Sequence, residues 1–329
     1  MLELIVSQTG NCHVSLDAVA EFESAIASDS RVRQVSFRNK FVSEFSYYSW
    51  RVLHNLGRRT NCVIKSRFPW GTHGGDHHDY FVVLMGLELR KCFPHFMRSG
   101  RKSLYLFDAW PKTHDLIKGL VNYWEVDRVF LSSSQAAKSL GALGSDCIYS
   151  WIPEGINPEL YRHNAYSEKD IDVLELGRKH DAYHERIVRA LKQDQKVHLY
   201  EKVKGEIIFP TRQEFIHGLA RTKISICFPS SITHPERAGD IETMTVRYLQ
   251  SMVSKCLIVG HAPEEMIRLF GYNPVIEVDM RDPIRQIRSL LGSFTDYSPL
   301  LEKNFRAVVE NHTWHHRWRS IASALFPET

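Results

Sequence analysis

The 329 residues are 43% hydrophobic and 24% charged, with a formal net charge of +4, a globular balance with room for two domains that each bury a core. No stretch reaches the roughly 20 uninterrupted apolar residues of a membrane span, and the mild charge without a long Lys/Arg run argues against a nucleic-acid binder; phosphate-bearing substrates or peripheral contact with an anionic membrane face remain compatible. Cys12, Cys62, Cys92, Cys147, Cys227 and Cys256 form no C-x-x-C pair and read as reduced structural thiols. With the acidic Met1-Leu2-Glu3 start in place of a basic secretory signal, the expected location is cytoplasmic.

Residues 2–7 are apolar and end at Gln8-Thr9-Gly10-Asn11, after which Leu16, Val19, Phe22 and Ile26 recur at helical spacing. This is the strand–turn–helix opening of a doubly wound domain. Residues 32–37 read as a second strand. The aromatic 41–56 segment reads as a helix, its face open between core and an acceptor-side surface. Thr72-His73-Gly74-Gly75-Asp76-His77-His78-Asp79 crowds imidazoles and carboxylates, but it lacks H-E-x-x-H spacing and a helix face that collects ligands. It reads as a solvated loop before a strand at 80–85, and no metal is assigned. A strand at 103–107 carries Asp108 at its carboxyl end, positioned to orient an acceptor hydroxyl or take its proton; the competing role is a cap for the helix through Leu116, Ile117 and Leu120. Residues 127–134 give a strand running into a short helix. Another strand closes on Pro153-Glu154-Gly155-Ile156-Asn157, where Pro and Gly break regular structure.

The second half opens with Ile171-Asp172-Val173-Leu174-Glu175-Leu176-Gly177-Arg178-Lys179, a strand and a glycine turn bearing two cations. A planar guanidinium there suits bidentate phosphate binding. Strands are expected at 197–200 and 207–209, then a helix with Phe215, Leu219 and Ala220. The apolar runs 224–228 and 256–259 suit central parallel strands covered on both faces. Between them lie a polar loop and a helix over 243–254 whose apolar face is Val246, Leu249, Met252 and Val253. Its first turn points to the carboxyl end of the strands, where α/β sheets bind ligands and where helix N–H groups favour phosphate. A helix from Pro263, a last strand at 275–278, a helix through Ile284 and Leu290, and a final helix reaching Leu325 complete the chain. The His/Trp cluster of the tail reads as structural.

Glu242-x7-Gln250 with its following turn and strand, the Pro153 to Asn157 closing motif, and Gly177-Arg178 resemble group 1, retaining-type glycosyltransferases of the GT-B fold, whose signature is Glu-x7-Glu. The resemblance spans residues 127–278. It implies an α/β chain with two Rossmann-like domains facing a cleft: an acceptor-side domain over 1–153, a nucleotide-sugar-binding domain over 154–311, and a C-terminal helix over 312–329 packing back on the first. The implied reaction moves a hexose or related sugar from a nucleotide-diphosphate donor to the hydroxyl of a glycan, lipid-linked or small-molecule acceptor. It proceeds with retention, without a metal, and with no cofactor beyond the nucleotide-sugar co-substrate. The resemblance makes Asp108 and Glu242 the catalytic candidates. It gives the donor to Gly10, Arg178, Lys179, Glu242, Thr243, Met244, Thr245, Val246 and Gln250, with Arg178 on the diphosphate, Glu242 on the sugar and Gln250 on the ribose. Gln250 replaces the family's second glutamate, and Phe107 replaces the histidine of a strand-end His-Asp. Those departures keep two other readings open, a non-catalytic binding protein and a nucleotide-sugar epimerase of the same fold.

Overall fold

The computed structural model describes residues 1–6, 16–36, 44–45, 47–49, 51–52, 55, 78–87, 89–93, 95–98, 100–177, 179–203 and 205–327. Contacts divide the chain into two compact units, Met1–Pro153 with Ser320–Thr329, and Glu154–Arg319. Half of segment 41–56 and all of 72–79 except His78 and Asp79 lie outside the described residues.

The first unit runs β1 (Leu2–Ile5), α1 (Asp17–Ala27), β2 (Val32–Val35), β3 (Asp79–Met85), β4 (Lys102–Phe107), α2 (His114–Trp124), β5 (Arg128–Leu131), α3 (Ser134–Gly141) and β6 (Ile148–Trp151). The strands form a parallel sheet in the order β2-β1-β3-β4-β5-β6. Phe81, Val82 and Val83 on β3 and Tyr105 on β4 are fully buried, as near-continuous apolar runs must be when a parallel sheet is covered on both faces. Val19, Phe22 and Ile26 are the buried stripe of α1, and Phe22 meets Tyr105 edge-on at 4.9 Å. The Tyr105 hydroxyl donates to the Ile152 carbonyl at 3.1 Å, so this large core ring leaves no polar atom unmatched.

The second unit runs β7 (Ile171–Glu175), α4 (Asp181–Gln193), β8 (His198–Leu199), α5 (Arg212–Ala220), β9 (Thr222–Cys227), α6 (Ser230–Thr233), α7 (Pro235–Ala238), α8 (Val246–Val253), β10 (Leu257–Gly260), α9 (Glu264–Phe270), β11 (Ile276–Glu277), α10 (Pro283–Gly292) and α11 (Ser298–Asn311). Its parallel sheet has the order β11-β10-β9-β7-β8. Strand periodicity decides which layer each side chain joins. Leu174 and Ile258 pack with Leu249, Met252 and Val253 of α8, whereas Val173, Leu257 and Val259 pack with Ile187 and Leu191 of α4 and Ile287 of α10. Each such fully buried aliphatic side chain contributes about 1.5–3 kcal/mol relative to exposure. β9 and β10 approach so closely at Gly260 that a Cβ there would overlap the Cys227 carbonyl, and its φ of +151° already excludes most side chains.

The last helix, α12 (Trp314–Leu325), starts in the second unit, and its final residues group with the first. The beginning and end of the second unit lie side by side. Trp314 N–H donates to the Ile156 carbonyl at 3.0 Å, Ile156 bridges Thr313, and Arg317 Nε donates to the Glu154 carbonyl at 3.2 Å. Burial, reinforced by the Arg317 charge, pushes neighbouring His312 down to about 3.

Three features depart from the sequence reading. Residues 207–209 form no strand; Ile208 and Phe209 fold over the core as loop side chains, with Phe209 against Phe215 of α5, since a short apolar run does not by itself specify pairing. The helix of the central stretch begins at Val246 rather than 243, because Thr243 and Met244 are drawn to Glu265 and Thr245 is extended. Helix α11, with Pro299 in its first turn and Leu301 and Val308 on its buried side, was not expected. No helix among the described residues is long and apolar enough to cross a membrane.

Candidate functional site

In the second unit the chemistry gathers at the carboxyl ends of β7, β9 and β10. Arg247, in the first turn of α8, folds back over these ends. Its Nη1 donates to the Leu176 carbonyl at 2.7 Å, and Nη2 lies 3.4 Å from the Phe228 carbonyl. Gly177, at φ +74°, turns beneath it, and a Cβ at that position would sit 3.3 Å from Nη1. Among the described residues no carboxylate lies within ion-pair reach of this half-buried guanidinium. It has five N–H donors, so two carbonyls leave donor capacity for an anion. Beside it, Thr245 precedes α8 in extended conformation without a side-chain cap bond, and its buried hydroxyl has no hydrogen-bond partner among the described residues.

On the other side of the same helix start lies an acid–imidazole–acid array. His261, directly after β10, has Nδ1 2.9 Å from Glu277 Oε1 and Nε2 3.6 Å from Glu242 Oε2. Burial lowers the basicity of His261, but the hydrogen bond and charge of Glu277 with the charge of Glu242 outweigh it, and its pKa rises above the usual 6.5. The two groups of charges meet at Tyr248, whose hydroxyl donates to the His261 carbonyl at 2.7 Å. Burial pushes that phenol well up, and it senses Arg247, Glu242 and Glu277 together.

The remaining donor candidates are distributed differently. Gly10 and Arg178 lie outside the described residues. Lys179 turns toward β8, donating to the Glu201 carbonyl at 2.6 Å with Nζ 5.2 Å from the Tyr200 ring centre. Thr243 Oγ1 and Met244 N–H both donate to buried Glu265 at 2.9 Å, and the Met244 side chain is wholly buried. Val246 N–H donates to buried Glu154 at 2.6 Å. Two amides of the α8 start are therefore already bonded to carboxylates of the protein. A carboxylate at a helix N-terminus also satisfies the macrodipole that would attract phosphate. Gln250 is buried and donates to the Tyr161 hydroxyl at 3.0 Å.

In the first unit, Asp108 stands at the carboxyl end of β4 in the left-handed region, φ 54°. Asp tolerates this conformation better than most residues, and such positions concentrate at functional sites. The helical segments that follow start at Trp110 and Thr113, neither helped by a side-chain cap bond.

Arg247, His261, Glu277 and Glu265 drew no site role from the sequence, and Glu154 stood there only as a member of the Pro153 to Asn157 motif. His261 had a signal, a polar residue immediately after an apolar strand. Arg247 had none, because a cation in the first turn of an amphipathic helix reads as solvent-facing until the strand ends are placed beneath it.

The sequence matches no protein-family model and no curated protein. Solved structures do match. Sucrose-phosphate synthase from Thermosynechococcus elongatus superposes with a TM-score of 0.60 at 9% identity, covering 98% of this chain and 98% of that one. HepE of Anabaena, in complex with UDP and glucose, gives 0.56 at 10% identity over 99% of both chains. The fold is GT-B. TarM gives 0.52 at 12% identity over 76% of this chain, which spans only 55% of TarM's length. The GT-B assignment rests on two parallel α/β sheets in one chain together with this near-complete coverage.

Proposed function

We propose that this GT-B chain is a glycosyltransferase that moves a sugar from a nucleoside-diphosphate donor to an acceptor hydroxyl. The observation that carries the reading is the Arg247 guanidinium, without a carboxylate partner among the described residues, over the carboxyl ends of β7 and β9. The nearby Glu242–His261 pair adds hydrogen-bonding groups suited to sugar hydroxyls. HepE, solved with UDP and with glucose, lends support from a protein of like fold, an analogy that bears on function only indirectly.

In this reading Arg247 takes the diphosphate with Arg178, while Glu242, aligned by His261, contacts the sugar. Asp108 accepts the acceptor's proton. The burial of Gln250 against Tyr161 favours a bracing role for it over a ribose contact. Guanidinium charge stabilises the leaving diphosphate electrostatically, so transfer needs no metal at the phosphates; retention follows from the resemblance to retaining-type glycosyltransferases. Turnover is expected to persist in EDTA.

The test pairs calorimetry of UDP and GDP on wild type and Arg247→Ala with a screen of nucleotide sugars for released nucleoside diphosphate, with and without acceptors. Wild-type binding that weakens about ten- to a hundred-fold in the variant, the scale of a lost charged hydrogen bond, together with acceptor-dependent release, supports the reading. Absence of nucleotide binding, or equal affinity in a folded variant, rejects it. Binding without any release points to the non-catalytic alternative.

A further inference from the structure

A second cluster, on the opposite face of the sheet from α8, has no part in that reading. Glu175 ends β7, His184 lies in the first turn of α4, and His198 opens β8. Glu175 is two residues from Val173, which packs against α4, so its side chain falls on the α4 face. Glu175 Oε1 lies 2.6 Å from His184 Nδ1 and 2.8 Å from His198 Nε2. One ligand atom from each residue falls within 4.8 Å of the other two. The side chains are 2%, 14% and 5% exposed.

We propose that Glu175, His184 and His198 form a zinc-class divalent-metal site that ties α4 and the edge strand β8 to the end of β7. Two imidazoles and a carboxylate are a donor set zinc takes with three protein ligands, a water filling the fourth place. A second observation points the same way. Glu175 Oε2 is buried and has no hydrogen-bond partner among the described residues. Native proteins rarely leave a buried carboxylate oxygen unmatched, and each case calls for an explanation such as an ion. The rings of His184 and His198 are closed over by Tyr200, whose centroid is 4.6 and 4.7 Å from theirs, which limits solvent access.

Bonds of about 2.0–2.1 Å in a tetrahedron set ligand atoms roughly 3.3 Å apart. Entry of the ion therefore replaces the two hydrogen bonds and moves the Glu175 oxygen away from each imidazole nitrogen by roughly half to three-quarters of an ångström. β8, which carries His198, is a two-residue strand at the sheet edge, so a shift of that size disturbs few ladder bonds. Each neutral imidazole keeps its proton by moving it to the other ring nitrogen, and an imidazolium releases one proton to solvent. Affinity accordingly falls in acid.

The test uses the full chain, stripped with a chelator and shown folded by circular dichroism. Zinc is titrated by calorimetry and cobalt(II) by visible absorption. One equivalent should bind, with the intense visible bands of tetrahedral cobalt, and zinc should raise the thermal midpoint. His184→Gln retains an amide donor for Glu175 while removing a ligand, and Glu175→Gln keeps the shape of the carboxylate. Both should lower zinc affinity at least about ten-fold and abolish the thermal shift. No zinc uptake by wild type, or undiminished uptake by folded His184→Gln, overturns the proposal; the second result would move the ion to other imidazoles, such as those of the Thr72 to Asp79 segment. The readouts are independent of sugar transfer, so this inference and the proposed activity fail separately.

Discussion

The two ends of the second sheet each hold a cation bonded to main-chain carbonyls. At the amino ends of β7, β9 and β10, the buried Lys169 ammonium donates to the carbonyls of Ala220, Thr222 and Ser254, each at 2.9 Å. At the carboxyl ends, Arg247 donates to Leu176 and Phe228. An ammonium has three hydrogens and a guanidinium five N–H groups. Lys169 is saturated and sealed, and burial lowers its pKa; Arg247 is half-buried with donors to spare. A saturated cation fastens the chain, and an unsaturated one is available to a ligand. Counting bonds against capacity separates the two roles where burial and charge alone do not.

The comparison breaks first at Lys169. Lys169→Met removes three hydrogen bonds to carbonyls, of which that of Ala220 keeps a second donor, Asn164 N–H, and should lower unfolding free energy by about 3 kcal/mol in a urea titration, with nucleotide affinity of the folded fraction unchanged. A neutral outcome would mean that saturation carries no structural weight. Arg247→Ala should do the reverse, costing under about 1 kcal/mol of stability while nucleoside-diphosphate affinity drops as stated above. Arg247→Lys should not restore that affinity, because an ammonium lacks the planar fork. Next in size, Glu242→Gln should lower kcat and kcat/KM together, by about ten-fold, with nucleotide affinity preserved, since a contact made only in the transition state affects both equally.

The smallest effect concerns His261. Its raised pKa means that the stabilisation from the imidazolium paired with Glu277 is complete below 6.5 and is lost as pH climbs through the folded value. The array is partly exposed, so the change should stay under about 1 kcal/mol. Urea midpoints from pH 5.5 to 8.5 should decline in wild type, and that component should vanish in His261→Ala. A decline of the same shape in the variant would assign it to other groups.

The architecture was readable because its signals are local. The runs 224–228 and 256–259 are apolar and β-branched, 171–176 interleaves such residues with Asp172 and Glu175, and in the structure they fall on β9, β10 and β7. Residues 207–209 carry the same signal over only three residues, too few to specify pairing, and Phe209 packs on Phe215 of α5 instead. Much of the site was not readable because it depends on pairing. Glu175, His184 and His198 look unrelated along the chain, and only the β7–β8 register, with Val173 opposite His198, brings them together. Glu154 and Glu265 reach the start of α8 from 92 and 21 residues away, where no spacing rule applies. Glu242 was visible through its motif. Its partner His261 required knowing where β10 ends.

The tie between Glu154 and Arg317, with residues 320–329 grouped in the first unit, sets an order of events on the ribosome. Domains generally fold as they emerge, the amino-terminal one first, at about 5–20 residues per second. Here the amino-terminal unit lacks its last segment until the whole second unit has been synthesised, whereas the second unit is contiguous and shares only α12 with that segment. A chain truncated near residue 319 would keep the contiguous second unit with α12 cut short, and would leave the first unit without its closing segment.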